Sequence, residues 1–293
     1  MKTSLIIGMG IGNLYAKVLG ELGHGIITVD ADPAKGADFT SVDDAIAECK
    51  MFDTVHICTP NFTHFEIARK LAPVSRIVFI EKPGVASAGI WETLVKSFPS
   101  TRIMMVKNNM WRSNIDQLKL QAMRARYVDF FWCNKDRVPN PGTWFTTKSL
   151  AFGGVSRDLM PHLLSLYISI NDSWRTEKCK DKGAEQHWQL EDLTQTDYGT
   201  VKTDGIYDVD DFCFMDFGIK WNLEANWRND TVDMRYIEFH TNDGLIERFE
   251  LGLCPEEAYL NMIKDAVNNI DRDDFWSKQL EIDIWIHQQI ENL

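Results

Sequence analysis

Leu5-Ile6-Ile7-Gly8-Met9-Gly10-Ile11-Gly12-Asn13 opens the chain with an apolar run, a turn of three glycines and the start of helical spacing. An apolar run that ends in glycine and resumes with a period near four reads as strand, tight turn and helix. Backbone without side chains at such a turn can approach a pyrophosphate, and the helix N-terminus adds partial positive charge. The pattern repeats: strands are expected at 5–7, 26–29, 54–58, 77–80 and 103–106. Between them Leu14, Val18 and Leu22, then Val42, Ala45 and Ile46, then Ile67 and Leu71, then Ile90 and Leu94 recur at helical spacing. Strand and helix in alternation from Ser4 to Val106 predict a doubly wound parallel sheet.

Ligands of such sheets lie beyond the carboxyl ends of the strands. The residues there are the glycine turn, Asp30, Thr59-Pro60-Asn61 and Glu81-Lys82-Pro83. The turn departs from the GxGxxG fingerprint, because Gly12 comes one residue early and Asn13 stands at the last glycine position. A turn one residue shorter is expected, with a tight turn that binds nothing as the alternative. Asp30 ends the second strand 20 residues after Gly10, where a carboxylate accepts hydrogen bonds from an adenosine ribose and repels a 2′-phosphate. Ala31, Asp32 and Pro33 supply no cation for that phosphate, so NAD is favoured over NADP. Asp30 and Asp32 could instead belong only to a polar turn before Pro33. A short glycine turn with an acid after the second strand also suits an S-adenosylmethionine-dependent methyltransferase.

The chain has 293 residues, 44% of them hydrophobic, enough for a large core and roughly two domains. A net charge of −12 opposes a sequence-independent hold on nucleic acid or anionic membrane and leaves a small molecule as the expected partner. The six cysteines, Cys49, Cys58, Cys133, Cys179, Cys213 and Cys254, form no CxxC, so neither a metal cage nor a disulfide framework is expected and a reducing cytoplasm fits. Leu5-Ile6-Ile7 is too short for a signal-peptide core, and no run of about 18 apolar residues could span a membrane.

After Lys107 the alternation stops, which places a boundary near 107–111 and divides the chain into 1–108 and 109–293. A helix at 115–123, a strand at 127–133, a helix at 156–170 and strands at 212–214, 221–227, 237–239 and 245–249 are expected. Along Trp221-Asn222-Leu223-Glu224-Ala225-Asn226-Trp227 apolar and polar side chains alternate, as in an antiparallel sheet with one covered face. Trp221 and Trp227 are expected in the core or a subunit interface rather than on a sugar ring. Asn242-Asp243-Gly244 reads as a hairpin turn and 178–183 as a loop, within an excursion or set of short edge strands at 176–205. Helices at 256–268 and 275–291 close the chain.

Lys82 follows the fully apolar strand Ile77-Val78-Phe79-Ile80, and Pro83 restricts its backbone. Asp158 and His162, four residues apart, share a face of the helix at 156–170, with Gly153-Gly154 ahead as backbone open to a ligand and Ser156 as its N-cap. Asn109, Trp111 and Arg112 follow the fifth strand and Trp144 precedes the helix. They are candidate substrate contacts, with interdomain packing as the alternative for each.

The glycine turn, Cys58-Thr59-Pro60-Asn61 with His64, Glu81-Lys82-Pro83, and Gly153-Gly154 leading to Asp158-x-x-x-His162 together resemble the glucose-fructose oxidoreductase / inositol dehydrogenase / MocA (Gfo/Idh/MocA) family over nearly the whole chain. The resemblance implies an N-terminal Rossmann domain and a second, α+β domain whose large open, mostly antiparallel sheet carries the substrate site and a homodimer or homotetramer interface. It makes Lys82, Asp158 and His162 the catalytic group and sets Thr59, Pro60, Asn61, His64, Glu81 and Lys82 beside NAD, with Gly8, Gly10, Ile11, Gly12, Asn13 and Asp30. Ser165 stands where many members carry a second acid, which departs from the polyol pattern.

Oxidation of a secondary alcohol removes the hydroxyl proton as hydride leaves for the nicotinamide, and histidine titrates in the right range. His162 is the candidate acid/base, Lys82 would stabilise charge on the same oxygen, and Asp158 would orient the imidazole or bind a neighbouring hydroxyl. Lysine and histidine could exchange roles. The expected activity is hydride transfer between NAD and a sugar, sugar derivative or nucleotide sugar. A non-catalytic dinucleotide-binding regulator is the alternative in another class.

Overall fold

Parallel neighbours need crossover connections, and the first hundred residues supply them. Strands β1 (Thr3–Ile7), β2 (Gly25–Val29), β3 (Phe52–Ile57), β4 (Ser75–Ile80) and β5 (Arg102–Met105) alternate with helices α1 (Gly12–Glu21), α2 (Val42–Glu48), α3 (His64–Leu71) and α4 (Ala88–Ser97). The strands pair in parallel in the order β2-β1-β3-β4-β5. Leu5, Ile6, Val55, Ile57, Val78 and Ile80 are fully buried, which explains why these strands read as apolar runs. The chain leaves β1 to one side for β2 and returns to its other side for β3, so the direction of winding reverses where the glycine turn emerges. The computed structural model describes residues 2–135, 137–187, 195–196, 199–229, 232–252 and 255–293. Cys254 lies outside the described residues, as does part of the expected excursion at 176–205.

Beyond β5 the chain forms α5 (Ile115–Arg124), β6 (Tyr127–Lys135), α6 (Lys148–Ala151), α7 (Val155–Asp158), α8 (Met160–Ile170), β7 (Cys179–Glu185), a small pair β8 (Gln195–Thr196) and β9 (Gly199–Thr200), β10 (Phe212–Phe217), β11 (Trp221–Asn229), β12 (Met234–His240) and β13 (Ile246–Glu250). Six strands form a mixed sheet, β13-β12-β6-β11-β10-β7, in which β6 and β11 run parallel and every other pair antiparallel. Val128, Phe130, Leu223, Trp227, Met215, Phe217 and Phe239 project to one face and are almost wholly buried. There Tyr167 of α8 stacks on Phe217 at 4.6 Å and meets Trp221 edge-on at 5.5 Å. Trp221 and Trp227 are therefore core residues. Full burial of such side chains contributes about 2 kcal/mol each, so this layer holds the sheet to the helix. The opposite face carries half-buried Phe131, Phe212 and Phe214 among Asp129, Glu224 and Glu238.

In its elements and its division into units the structure departs from the sequence expectations in three places. Helices α9 (Glu256–Asn268) and α10 (Asp273–Ile290) close the chain, but one compact unit comprises residues up to Val106 with Glu256–Gln288, and the other Lys107–Pro255 with Gln289–Leu293. A division into 1–108 and 109–293 put both helices in the second domain. Tyr259 of α9 packs edge-on against Tyr15 of α1 at 5.4 Å, and Asp283 of α10 accepts the Met105 N–H at 3.0 Å. An amphipathic pattern tells that a helix covers a core, not which one. The segment 178–183, expected as a loop, belongs to strand β7, whose edge position tolerates its charges. The helix expected at 156–170 breaks at Leu159 into α7 and α8, because Pro161 has no N–H to continue the ladder.

Candidate active site

In the first unit the three glycines of the turn do different work. Gly8 has φ +91°, and a Cβ there would stand 2.6 Å from the carbonyl oxygen of Cys58, the residue after β3. A Cβ on Gly12 would stand 2.9 Å from Ile6 Cγ2, so this glycine lets α1 close on β1. Gly10 has nothing within 4 Å of a Cβ position, so the turn is bare and open at its middle glycine. Helix α1 starts at Gly12 with no side-chain cap and no acid in its first turn, which leaves its N–H dipole end fit for an anion. Ile11 beside it is 43% exposed.

The missing residue of the fingerprint is compensated from within. Asn13 Nδ2 donates to the Met9 carbonyl at 2.6 Å, closing the turn from the helix side. Asp30 Oδ2 accepts the Met9 N–H at 2.7 Å, and its Oδ1 accepts the Asp32 N–H at 2.9 Å. Asp30 thus braces the turn, and each of its oxygens retains a lone pair for a further donor.

The loops after β3 and β4 are tied together by His64. Its Nδ1 lies 2.7 Å from the Gly84 carbonyl oxygen and its Nε2 2.8 Å from that of Thr59, with the ring fully buried. Burial holds its pKa below the ordinary value, the two carbonyls oppose this, and the Lys82 charge adds to it. Thr59 Oγ1 lies 2.6 Å from Thr63 Oγ1, which donates to the Pro60 carbonyl, where the turn Asn61–Thr63 begins. After β4, Lys82 and Pro83 are joined by a cis peptide bond. Val85 N–H donates to His287 Nε2 at 3.3 Å, so buried histidines from α3 and α10 both hold the Gly84–Val85 peptide of the loop that carries Lys82. Gly84 is required there, since a Cβ would meet His287 Nε2 at 2.7 Å. Glu81 accepts the Tyr15 hydroxyl at 2.6 Å. Burial pushes the Glu81 carboxyl up, against the Tyr15 hydrogen bond and the Lys82 charge.

In the second unit His162 Nδ1 lies 3.1 Å from Asn109 Nδ2, and the His162 ring stacks on Trp132 at 5.0 Å. Asn109 Oδ1 accepts from Arg112 Nε at 2.8 Å, and Arg112 Nη1 donates to the Leu251 carbonyl at 2.8 Å. Asn109 and Arg112, expected to meet substrate, are buried and bonded in this way within the protein. Asp158 Oδ2 accepts from Trp227 Nε1 at 3.0 Å. Half-buried Trp144 packs on Phe145 at 4.5 Å, and Phe145 lies 6.1 Å from Trp227.

Gly153 and Gly154 serve the chain itself rather than a ligand. A Cβ on Gly154 would fall 1.8 Å from the Asp210 carbonyl oxygen. The Asp210 carboxylate accepts from Gly154 N at 2.8 Å, Ser156 N at 2.7 Å and Ser156 Oγ at 2.9 Å. Ser156 is therefore not an N-cap, because Gly154 occupies that position and Asp210 satisfies the first turn of α7 from afar. Sequence reasoning missed Asp210, Tyr15, Trp132 and His287. No local pattern marks them, since each acts on a partner distant in the chain.

Comparison with known proteins agrees with this architecture. Residues 27–107 match the model of an oxidoreductase family with an NAD-binding Rossmann fold, GFO_IDH_MocA, starting past the glycine turn. A protein of Amycolatopsis mediterranei (strain S699), whose name proposes an oxidoreductase subunit of UDP-kanosamine synthase, is 27% identical over 150 residues. That match covers 47% of this chain and 42% of the relative, so the chain spans less than half of that protein. GenD2 from gentamicin A biosynthesis, solved with NAD, aligns with TM-score 0.70 at 17% identity, covering 99% of this chain and 94% of that one. Levoglucosan dehydrogenase, solved with NADH and levoglucosan, aligns at 0.72 and 14% identity over 99% and 97%. A myo-inositol dehydrogenase from Corynebacterium glutamicum ATCC 13032 aligns at 0.73 and 12% identity over 100% and 95%. No helix among the described residues is long and apolar enough to cross a membrane. With its Rossmann domain and its mixed-sheet second domain, the chain has the architecture of the Gfo/Idh/MocA superfamily of oxidoreductases.

Proposed function

We propose that this protein is an NAD-dependent oxidoreductase that interconverts a secondary alcohol and a ketone on a sugar, sugar derivative or nucleotide sugar. The observation that carries the reading is the glycine turn, bare at Gly10, opening an uncapped helix and braced by Asp30 at the end of the neighbouring strand. Such a turn fits a pyrophosphate against the backbone of Gly10, Ile11 and Gly12, with Asp30 receiving ribose hydroxyls. A carboxylate at that position favours NAD over NADP, in keeping with the NAD and NADH complexes of GenD2 and levoglucosan dehydrogenase. The carbohydrate class rests on levoglucosan dehydrogenase, which was solved with levoglucosan and with L-sorbose.

Bound nicotinamide would supply the hydride acceptor. The chain's own part is to hold the substrate oxygen and move its proton, roles we assign to Lys82 and His162, with Asp158 as their third member. His64, Thr59, Pro60, Asn61 and Glu81 shape the loops beside the cofactor, and Trp144 is the substrate contact that this reading retains. We further infer a cytoplasmic enzyme, to which the five described cysteines, all free thiols, are suited. It would assemble as a homodimer or homotetramer through the outer face of the six-stranded sheet, which offers Phe131, Phe212 and Phe214 to a partner.

A thermal-shift comparison of NAD, NADP and S-adenosylmethionine tests the cofactor, and NADH absorbance with a panel of sugars and nucleotide sugars tests the reaction. NAD should raise the melting temperature most, and Lys82→Met should lower kcat by about a hundredfold or more. Stabilisation by S-adenosylmethionine alone, or turnover unchanged in Lys82→Met, refutes the reading.

A further inference from the structure

The orientation of Asn109 decides which nitrogen of His162 holds the ring proton. Arg112 Nε is only a donor, so the Asn109 atom 2.8 Å from it is the carbonyl oxygen Oδ1. The amide nitrogen therefore faces His162, and a primary amide nitrogen only donates. The acceptor at 3.1 Å is then the lone pair on His162 Nδ1, and in the neutral ring the proton sits on Nε2. Arg112 cannot be turned to suit a flipped Asn109, because its Nη1 is committed to the Leu251 carbonyl and the side chain is 93% buried, with 7% of its surface exposed. The His162 ring is fixed as well, stacked within 19° of parallel on Trp132. Among the described residues, the Arg112 guanidinium is linked to the ring through Asn109, and Asp158 lies four residues earlier in the chain, at the end of α7.

We propose that Asn109, locked by Arg112, is a positioning residue that holds His162 neutral with its proton on Nε2, so that His162 donates a hydrogen bond and does not act as a base. Protonation of Nδ1 would set its N–H against the Asn109 amide hydrogens, and an Nδ1–H tautomer would do the same. The proposal rests on the hydride-transfer reading above and refines it. In the oxidation direction the Lys82 ammonium would first give one proton to solvent, and the substrate O–H bond would then break toward the amine so formed, which becomes an ammonium again. A bound nicotinamide would accept the C–H hydrogen with its electron pair as hydride, and the C–O bond would become C=O. Throughout, His162 Nε2–H keeps its proton and stabilises negative charge on the oxygen, as a neutral imidazole can.

The test reads the ring directly. Protein labelled with ¹⁵N in its histidine rings, with His162 assigned by the signals lost in His162→Gln, is examined by ¹H–¹⁵N correlation without cofactor or substrate. The expected result is a neutral His162 with Nε2 protonated and Nδ1 an acceptor at neutral pH. In Asn109→Asp, where a carboxylate can accept from both Arg112 Nε and an Nδ1–H, the proton should move to Nδ1. In Asn109→Ala, which adds no charge, both tautomers should appear. In Asn109→Asp the pH profile of kcat/KM should also gain an ionisation in the imidazole range that the wild type lacks. A wild-type ring protonated at Nδ1, or a tautomer unchanged in both variants, overturns the proposal. The wild-type spectrum alone keeps it falsifiable if a variant fails to fold. Because the spectra need no turnover, absence of dehydrogenase activity with the Nε2–H tautomer intact would sink the function and not the role of Asn109.

Discussion

His56 gives a pH dependence whose size can be worked from the structure. It lies in β3 at 1% exposure, stacked on Phe79 at 4.8 Å. Its Nε2 sits 3.0 Å from Thr54 Oγ1, at the inner end of a chain that runs through Ser4 Oγ to His24 Nδ1. Burial, helped by the His24 charge, pulls its pKa from 6.5 to about 3. The folded ring therefore refuses a proton that the unfolded chain accepts. Its contribution to stability is whole above the unfolded value and is lost as pH falls through it toward the folded value, where the folded ring protonates too. At about pH 5 the unfolded chain gains RT ln(1 + 10^1.5), about 2 kcal/mol. That figure hardly depends on how far below 5 the folded value lies, since the folded ring is neutral across the window. Urea unfolding of the wild type and of His56→Leu at about pH 7.5 and about pH 5 isolates the effect, because groups common to both proteins cancel. The wild type should lose about 2 kcal/mol more than the variant over this interval. Equal losses in the two proteins would show that His56 binds its proton in the fold and would refute the argument.

Gly10→Ala should leave stability within about 0.5 kcal/mol, since its Cβ meets nothing within 4 Å, yet abolish the NAD-induced thermal shift by occupying the bare backbone. A variant that melts normally and still gains stability from NAD would contradict the assignment of the turn. Asp210→Ala removes three hydrogen bonds from the first turn of α7 and leaves buried donors unpaired, a loss of about 3 kcal/mol. The urea midpoint measures it, and a change below about 1 kcal/mol would mean that the turn finds other partners.

The parallel sheet was legible because both its faces are covered, so β4 appears in the sequence as Ile77-Val78-Phe79-Ile80 without interruption. The strand β11 was legible for the opposite reason, its alternation recording one covered face and one open face. Residues acting through distant partners left no such trace. Gly153 and Gly154 read as backbone open to a ligand, but in the fold the group that closes on Gly154 is Asp210, 56 positions away. Asn109 and Arg112 were rightly noticed as polar residues just beyond the fifth strand, yet their partners His162 and Leu251 come from segments 53 and 139 residues away. Helical periodicity gave α9 and α10 their faces without saying which unit they join.

A buried polar side chain costs free energy unless its hydrogen bonds are made, so its presence in a core calls for a reason. In the first unit two buried histidines, His64 and His287, hold the loop that carries Lys82. In the second, buried Asn109 and Arg112 hold His162. Apolar packing alone would fix the positions of these loops, but it is indifferent to the rotation of an imidazole and to the place of its proton. Hydrogen bonds with a defined donor and acceptor discriminate between those states, and they do so only if the supporting residue is itself prevented from flipping. Arg112 meets that requirement for Asn109, and Asp283 meets it for His287: the Asp283 carbonyl lies 2.6 Å from His287 Nδ1 and so leaves Nε2 to accept from Val85. Each unit thus carries a support of two linked polar residues behind one candidate catalytic side chain, as expected where proton placement and not merely shape must be specified.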